Sequence, residues 1–323
     1  VQGNRILFGL DAYNGTVLWA NQLPQMRRAN VPRDSSNTVA TEDGILVAVD
    51  DACWYFDGDT GDRVAVIPVI GGRPDEDYDW GYLAWSDGFL LGSAVRTGAI
   101  YKGAEGEWYD NAGAESEKVT SDTLYALDGK SHQPAWTRTV GQVINSTITV
   151  AEGTVYFIES RAEGALAARN ARIGDAVLND TWLVALELAS GKLIYEKPVD
   201  LSQAGRSAYL AFADGQLLMT QSSDKYFLEA FKAKTGKSVW KIEHPWARNH
   251  HGGTIQHPVI NGGRVYTDMR AFDFKTGKQV RDDLPPRRGC GTMSSSAGAF
   301  FYRHYSHGIW DLESDKRIEW KGV

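Results

Sequence analysis

The sequence predicts an all-β fold: a β-propeller of four-stranded antiparallel blades, with a seven- or eight-bladed architecture. Two repeated signatures carry this prediction, a hairpin that ends on an aromatic residue and a glycine-turn hairpin that precedes it. Together they form a unit of four strands. A four-stranded unit that recurs at intervals near 40 residues is typical of propeller blades.

The first signature is a strand, a tight turn and a second strand, as in Leu7–Trp19, LFGLDAYNGTVLW. The carboxylate of Asp11 can bond backbone N–H groups of the turn, and Gly15 can take positive φ at no steric cost. The ring of Trp19 is large enough to need a neighbour that buries it. Related copies occur at Cys53–Ala65, Leu124–Trp136, Leu183–Tyr195, Leu228–Trp240, Arg270–Val280 and Gly308–Trp320.

Two copies lack the glycine of this turn. His132 and Asp315 stand at the position that Gly15 holds in the type copy. A side chain there meets the steric limits of positive φ, so the sequence predicts a different or strained turn in these two copies.

The second signature precedes every copy except the first, and examples are NTVATEDGILVAV, TITVAEGTVYFIES and HPVINGGRVYTD. Glycine turns between apolar runs favour a hairpin. The unit repeats every 38 to 71 residues from Asp11 to Asp311, which gives one half blade and six complete ones. We therefore expect a single propeller domain over residues 1–323, with an incomplete first blade, as a fragment of a longer chain.

Two insertions interrupt successive blades between their second and third strands, at residues 96–122 and 161–180. Long loops in a compact fold are often functional, so both are candidates for a lid or a docking surface. The first half of the second insertion is rich in Ala, Arg and Leu and can form a short helix.

The pattern LYALD-x-x-TG-x-x-x-W resembles the quinoprotein, or PQQ-like, β-propeller repeat over essentially the whole chain. That superfamily includes quinone-dependent alcohol dehydrogenases and the non-catalytic lipoprotein of the outer-membrane β-barrel assembly machine. The segments PQMRRANVPRDSSN, NHHGGTIQHP and RRGCGTMSSS are similar to a narrower branch, the PQQ-binding-like propellers of large bacterial multidomain proteins. The resemblance implies a periplasmic or exported location and further flanking domains.

Composition limits the function classes. The net charge is −7 and no basic stripe occurs, which argues against nucleic acid as a partner. No apolar run is long enough to span a bilayer. The two cysteines, Cys53 and Cys290, are expected to be separate thiols, and the adjacent Cys–Cys pair of quinoprotein alcohol dehydrogenases is absent.

Residues just before each inner strand are expected to ring the mouth of the propeller channel, where ligands of such folds bind. The alternative is that these side chains bond one another and loop backbone. The cofactor-binding candidates in this ring are Asp34, Asn37, Asp79, Trp80, Asn145, Arg206 and Arg288, and Arg33, His251, His257 and Cys290 complete it.

Two further segments suggest metal chemistry. Residues 243–258, EHPWARNHHGGTIQHP, hold four histidines, and His251 and His257 are the candidate ligands for Zn²⁺, Cu or haem. The alternative is hydrogen-bonding loop histidines, because the spacing matches no established metal motif. The acidic run PDEDYDW, which contains Asp79, could bind Ca²⁺, but its spacing favours a solvated loop.

Three functions remain open. The first is a non-catalytic propeller module that presents its loops and channel mouth to a protein or glycan partner. The second, implied by the resemblance, is a PQQ- and Ca²⁺-dependent oxidoreductase of the alcohol or sugar dehydrogenase type, with Trp80 stacked on the quinone and Asp34 or Asp79 as base or ligand. The third is a metal or haem site on residues 244–257.

Overall fold

The computed structural model describes residues 6–23, 37–97, 119–168, 174–205, 207–245, 257–267, 270–284, 293–303 and 307–320. They fall into two compact units, which we describe separately. Unit 1 holds the described residues up to Val199, and unit 2 holds those from Asp200 onward.

Unit 1 consists of antiparallel sheets that follow one another along the chain. A two-stranded sheet pairs β1 (Ile6–Leu10) with β2 (Val17–Gln22). The next sheet contains β3 (Thr38–Ala40), β4 (Gly44–Val49), β5 (Ala52–Asp57) and β6 (Arg63–Pro68). The third contains β7 (Tyr78–Ser86), β8 (Phe89–Arg96), β10 (Thr123–Asp128) and β11 (Pro134–Arg138). The fourth contains β9 (Thr120–Ser121), β12 (Gln142–Ile144), β13 (Thr149–Ala151), β14 (Thr154–Ser160), β15 (Thr181–Glu187) and β16 (Leu193–Pro198).

Unit 2 contains three four-stranded antiparallel sheets, each in sequential strand order. The first contains β17 (Ser207–Ala213), β18 (Gln216–Ser222), β19 (Lys225–Lys232) and β20 (Lys237–Pro245). The second contains β21 (Val259–Asn261), β22 (Arg264–Thr267), β23 (Arg270–Asp273) and β24 (Gln279–Arg281). The third contains β25 (Ser294–Ser295), β26 (Ala299–Tyr302), β27 (Gly308–Asp311) and β28 (Arg317–Glu319).

These sheets confirm the predicted four-stranded antiparallel unit. The predicted short helix is α1 (Glu163–Ala167), and 3-10 turns cover Asn145–Thr147 and Gly174–Leu178. The number of blades stays a prediction. Within the described residues, no helix has the length and apolar character needed to cross a membrane.

The turns of the first signature fold as their sequence predicts. The carboxylate of Asp11 accepts hydrogen bonds from the backbone N–H groups of Tyr13 and Asn14, at 2.9 and 3.0 Å. The two turns without glycine place a side chain in the left-handed region, with φ of 56° at His132 and 58° at Asp315. Of the two predicted possibilities, a different turn or a strained one, the structure shows the second, with a side chain held at positive φ.

The cores of each unit lie between neighbouring sheets. Leu46 and Cys53 of the β3–β6 sheet pack against Trp80 and Tyr125 of the following sheet, and all four are at least 98% buried. Central strands such as β10 bury both faces, because one sheet packs on each side. The thiol of Cys53 is therefore a core group, and burial raises its pKa well above the ordinary value.

Tryptophans within three outer strands, β2, β11 and β20, join their sheets to the next one. Trp19 Nε1 donates to the carbonyl of Gly58 at 2.8 Å, and Trp136 Nε1 donates to that of Leu188 at 2.6 Å. In unit 2, Trp240 Nε1 donates to Phe274 O at 2.9 Å. Each ring also covers the turn glycine of the next sheet, at Gly61, Gly191 and Gly277. The repeated Trp and Gly positions therefore form one contact that recurs between blades.

Candidate functional site

Asp79 and Trp80 lie on the inner strand β7, and both are buried. Trp80 is only 2% exposed, and its ring packs edge-to-face on Tyr125 with centroids 5.3 Å apart. Its Nε1 donates to Tyr82 O at 2.8 Å. Asp79 Oδ1 accepts a hydrogen bond from the hydroxyl of Thr97 at 3.3 Å. Both residues take part in packing within the blade.

Asn145 interrupts its inner strand, because the 3-10 turn at 145–147 separates β12 from β13. This differs from the expected position immediately before one continuous strand. Its Oδ1 accepts from Ser121 Oγ at 2.6 Å, and its Nδ2 donates to Ser93 Oγ at 3.4 Å. All three side chains are at most 1% exposed. The amide therefore fastens two strands of neighbouring blades.

A buried ionic cluster links the ends of these blades, and we call it the Arg96 cluster. Arg96 Nε lies 3.0 Å from Glu76 Oε2, and Arg96 Nη2 lies 3.1 Å from Asp122 Oδ1. Tyr78 Oη and Gln142 Nε2 each donate to the carboxylate of Asp122 at 2.6 Å. Arg73 Nε lies 3.5 Å from Asp122 Oδ2. The members of the cluster are Arg73, Glu76, Tyr78, Arg96, Asp122 and Gln142.

The pKa of Asp122 reflects two opposing effects. Burial alone would raise it, but hydrogen bonds from Tyr78, Arg96 and Gln142 and the charge of Arg96 hold the pKa below the ordinary value. The carboxylate is therefore ionised and paired at neutral pH.

The Arg96 cluster also anchors the second insertion. Arg96 Nη1 donates to Ala168 O, just after α1, and Arg73 Nη2 donates to Leu166 O within it. Arg96 ends β8, where the first insertion begins. The residues that bound the first insertion and the helix of the second therefore meet at this cluster.

A second buried carboxylate lies on β14. Glu159 is fully buried, and Arg138 Nη2 and Arg161 Nη2 lie 2.7 and 2.8 Å from its Oε1. Arg161 also pairs with Glu196, and this hydrogen bond lowers the pKa of the Glu196 carboxyl. The two carboxylates, Glu159 and Glu196, balance the charges of the two arginines, which suits a structural role.

A small pocket in unit 2 lies between the β17–β20 and β21–β24 sheets, and we call it the Ser222 pocket. The space it encloses holds about one water molecule. Its lining includes Ser207, Thr220, Ser222, Tyr226, His257 and Thr267.

His257 is the one candidate metal ligand among the described residues. Its side chain remains accessible to solvent, yet Tyr209 packs on its ring with centroids 3.8 Å apart. Surrounding protein desolvates the imidazole and lowers its pKa to about 4. The ring is therefore neutral at physiological pH.

His244, in the same histidine-rich segment, is a buried hydrogen-bonding residue. It is 4% exposed, and its Nε2 lies 2.8 Å from Thr267 Oγ1. Within the described ranges, no group of three or more His, Cys, Asp or Glu residues is arranged to hold a metal ion.

The remaining candidates divide into two groups. Asn37 precedes β3, and its carbonyl accepts from the N–H of Ala48 at 2.8 Å. The other candidates lie outside the described residues: Arg33, Asp34, Arg206, His250, His251, Arg288 and Cys290.

Sequence reasoning missed the Arg96 cluster and the Ser222 pocket. The signal for the cluster was a charged residue at each end of the first insertion, Arg96 and Asp122, where apolar strands meet polar loop. The signal for the pocket was the hydroxyl-rich end of β18, in the sequence MTQS.

Residues 179–299 match the family model of the outer membrane protein assembly factor BamB. No curated protein matches the chain by sequence.

Solved structures share the fold. BamB from Moraxella catarrhalis is 15% identical, with a TM-score of 0.56 over 96% of this chain and 77% of that one. A europium-containing methanol dehydrogenase is 14% identical, with a TM-score of 0.51 over 95% and 69%. The quinohemoprotein alcohol dehydrogenase ADHIIG from Pseudomonas putida HK5 is 14% identical, with a TM-score of 0.50 over 96% and 49%. At these identities the likeness shows the fold, that of a β-propeller.

Proposed function

On the premise of a PQQ-like β-propeller family, which the family-model match and the structural neighbours support, we propose that this chain is a non-catalytic propeller module. It acts as a binding and scaffold surface in a bacterial envelope or exported protein. Its partner is a protein or a glycan.

One observation carries this proposal: the side chains of three channel-mouth candidates in unit 1 contact other groups of the protein. Trp80 packs on Tyr125, Asn145 bonds two buried serines, and Asp79 accepts from Thr97. Such contacts are expected if the channel-mouth side chains bond one another and the backbone and do not hold a ligand. A module of this kind leaves recognition to its loops.

The loops between second and third strands, and those before inner strands, lie at the same end of each antiparallel sheet. Both insertions emerge at that end, where the Arg96 cluster fixes α1. A docking surface benefits from such support, because a fixed loop loses less conformational entropy on binding.

The quinoprotein alternative is supported by the likeness to the methanol dehydrogenase fold. The environment of Trp80 does not fit it, because a ring that is 2% exposed cannot stack on a quinone without leaving its packing site. The Asp79 carboxylate is 3% exposed. Asp34, the other proposed base, lies outside the described residues.

Site-specific photo-crosslinking in intact cells tests the proposed function. A benzophenone amino acid replaces Asp75 or Val140, which precede inner strands, or Asp224, which lies between β18 and β19; all three are exposed. We expect discrete adducts to a partner from these positions in the full-length protein.

The matched control positions are Val64 and Val239, exposed residues on the fourth strands β6 and β20. Recognition by loops predicts no adduct there. Adducts only at the fourth-strand positions, or at none of the five, would contradict the proposed loop surface.

A further inference from the structure

We propose that this chain associates with a second copy of itself through two turns of opposite charge. The turn that joins β5 to β6 covers residues 57–62, DGDTGD, and we call it the acidic turn. The turn that joins β19 to β20 covers residues 232–237, KAKTGK, and we call it the lysine turn. The first lies in unit 1 and the second in unit 2. The proposal goes beyond the scaffold function and does not depend on it.

The two turns share one backbone conformation. Gly61 N donates to Asp57 O at 3.0 Å in the acidic turn, and Gly236 N donates to Lys232 O at 2.8 Å in the lysine turn. Both glycines have positive φ, 75° and 65°. Opposite charges therefore stand at the same three positions of one turn: Asp57, Asp59 and Asp62 correspond to Lys232, Lys234 and Lys237.

These six side chains are available to a partner. The three lysines are exposed, as are Asp59 and Asp62, and Asp57 is half-exposed. Within the described residues, none of the six takes part in a salt bridge. Hydrogen bonds from Thr60 lower the pKa of the Asp57 carboxyl, so it is ionised at neutral pH. These bonds go to Oδ1, which leaves Oδ2 as an acceptor for an ammonium group.

A neighbouring turn enlarges the lysine surface. Trp240 Nε1 donates to Phe274 O at 2.9 Å, and this contact brings the turn of the next sheet against β20. That turn carries two further exposed lysines, Lys275 and Lys278. Asp273 offsets part of their charge, so the combined surface is basic but not uniformly so.

The acidic surface is enlarged in the same way. Gly58 N donates to Asp43 O at 2.9 Å, which places the exposed Glu42 and Asp43 beside the acidic turn. Arg63 follows the turn, and its guanidinium carbon lies 4.2 Å from the centroid of the Trp54 ring. Each surface therefore combines several like charges with one charge of the opposite sign.

The first residue of the lysine turn shows that its charge comes at a cost. In five other copies an aspartate at this position accepts a hydrogen bond from the N–H of the fourth residue: Asp11, Asp57, Asp128, Asp273 and Asp311. Lys232 has no acceptor in its side chain, so Thr235 N donates to Lys232 O, at 3.1 Å. Lysine at this position forgoes a bond that stabilises the turn and adds repulsion between like charges. An anionic partner offsets both effects.

The acidic turn of a second copy fits this surface. It presents its carboxylates on the same backbone turn and with the same spacing as the ammonium groups, whereas a lipid surface has no such fixed spacing. Exposed ion pairs are individually weak and are screened by salt. The net charge of −7 also opposes the approach of two copies. We therefore expect association that is weak and strongly dependent on salt.

Sedimentation velocity of the full-length protein tests the proposal at about 0.01 M and about 1 M salt, where the Debye lengths are about 30 and 3 Å. We expect species larger than the monomer at low salt and their loss at high salt. The variant Lys232→Asp/Lys234→Asp/Lys237→Asp should weaken this association about tenfold or more. Its melting temperature should stay unchanged or rise, because an aspartate at the first position restores the acceptor of the turn.

The matched control is Lys130→Asp/Lys192→Asp/Lys316→Asp, which changes the net charge by the same amount at exposed lysines in the turns of three other copies. It should weaken the association much less, because the lysine turn is intact. Equal weakening in the two triple variants would show that net charge, and not the lysine turn, governs association.

A charge exchange completes the test. Asp59→Lys/Asp62→Lys keeps Asp57, which holds the acidic turn together, and should also abolish self-association. Mixing this variant with the lysine-turn variant should restore association, because each then supplies the charge that the other lacks. The proposal is overturned by a wild-type protein that stays monomeric at low salt, by no recovery on mixing, or by salt-dependent binding to phosphatidylglycerol vesicles without self-association.

Discussion

Trp136→Ala is expected to lower the free energy of unfolding by about 3–5 kcal/mol, the range for large aromatic deletions from a core. Trp136 is 8% exposed and packs in the core between the third and fourth sheets of unit 1. Its removal leaves a cavity and takes the indole N–H away from Leu188 O. Urea unfolding followed by circular dichroism measures the change.

Trp320→Ala is the matched control, because this tryptophan is 45% exposed. It should cost less than about 1 kcal/mol. Equal losses of unfolding free energy in the two variants would contradict the inference that Trp136 joins neighbouring sheets.

The glycine side of the same contact supplies a second check. Gly191 and Gly215 have similar positive φ values, 67° and 72°, but a Cβ on Gly191 would lie 2.6 Å from Trp136 Cγ, whereas one on Gly215 meets nothing within 4 Å. Gly191→Ala should therefore cost about 1–3 kcal/mol more than Gly215→Ala. In a Trp136→Ala background this difference should disappear.

Asp122→Asn is expected to destabilise the protein by about 3 kcal/mol at neutral pH, because it breaks a buried ion pair and leaves Arg96 short of a partner. The difference from the wild type should shrink as the pH falls. The depressed pKa of folded Asp122 means that its stabilising contribution is complete above the unfolded pKa of about 3.9 and is lost as the pH falls through the folded value. Unfolding at pH 7 and at pH 3 measures both effects.

Asp75→Asn is the control, because Asp75 is next to Glu76 of the Arg96 cluster but is exposed. Its effect should stay within about 0.5 kcal/mol. A pH-independent loss in Asp122→Asn would show that amide packing, and not the charge, accounts for the difference.

Local patterns made the blade predictable. A strand, an Asx turn, a glycine and a second strand are specified within about a dozen residues, so the hairpins and the left-handed φ of His132 and Asp315 follow from the sequence. The same holds for α1, whose composition favours a helix.

Contacts between residues far apart in the sequence were not predictable in this way. Arg96 and Asp122 are separated by an insertion and meet only because β8 pairs with β10. The edge-to-face contact of Trp80 with Tyr125 likewise depends on the pairing of strands that are distant in sequence. The Ser222 pocket needs two sheets to form its walls, and periodicity along one strand cannot reveal the other.

The proposed function is that of a binding module, and its main alternative is a quinoprotein enzyme. The most direct measurement is a titration with PQQ in Ca²⁺ buffer, following tryptophan fluorescence and quinone absorbance. The account predicts no saturable change up to high micromolar PQQ. Saturable, stoichiometric quenching that is lost in Trp80→Ala and weakened in Asp79→Asn would contradict it.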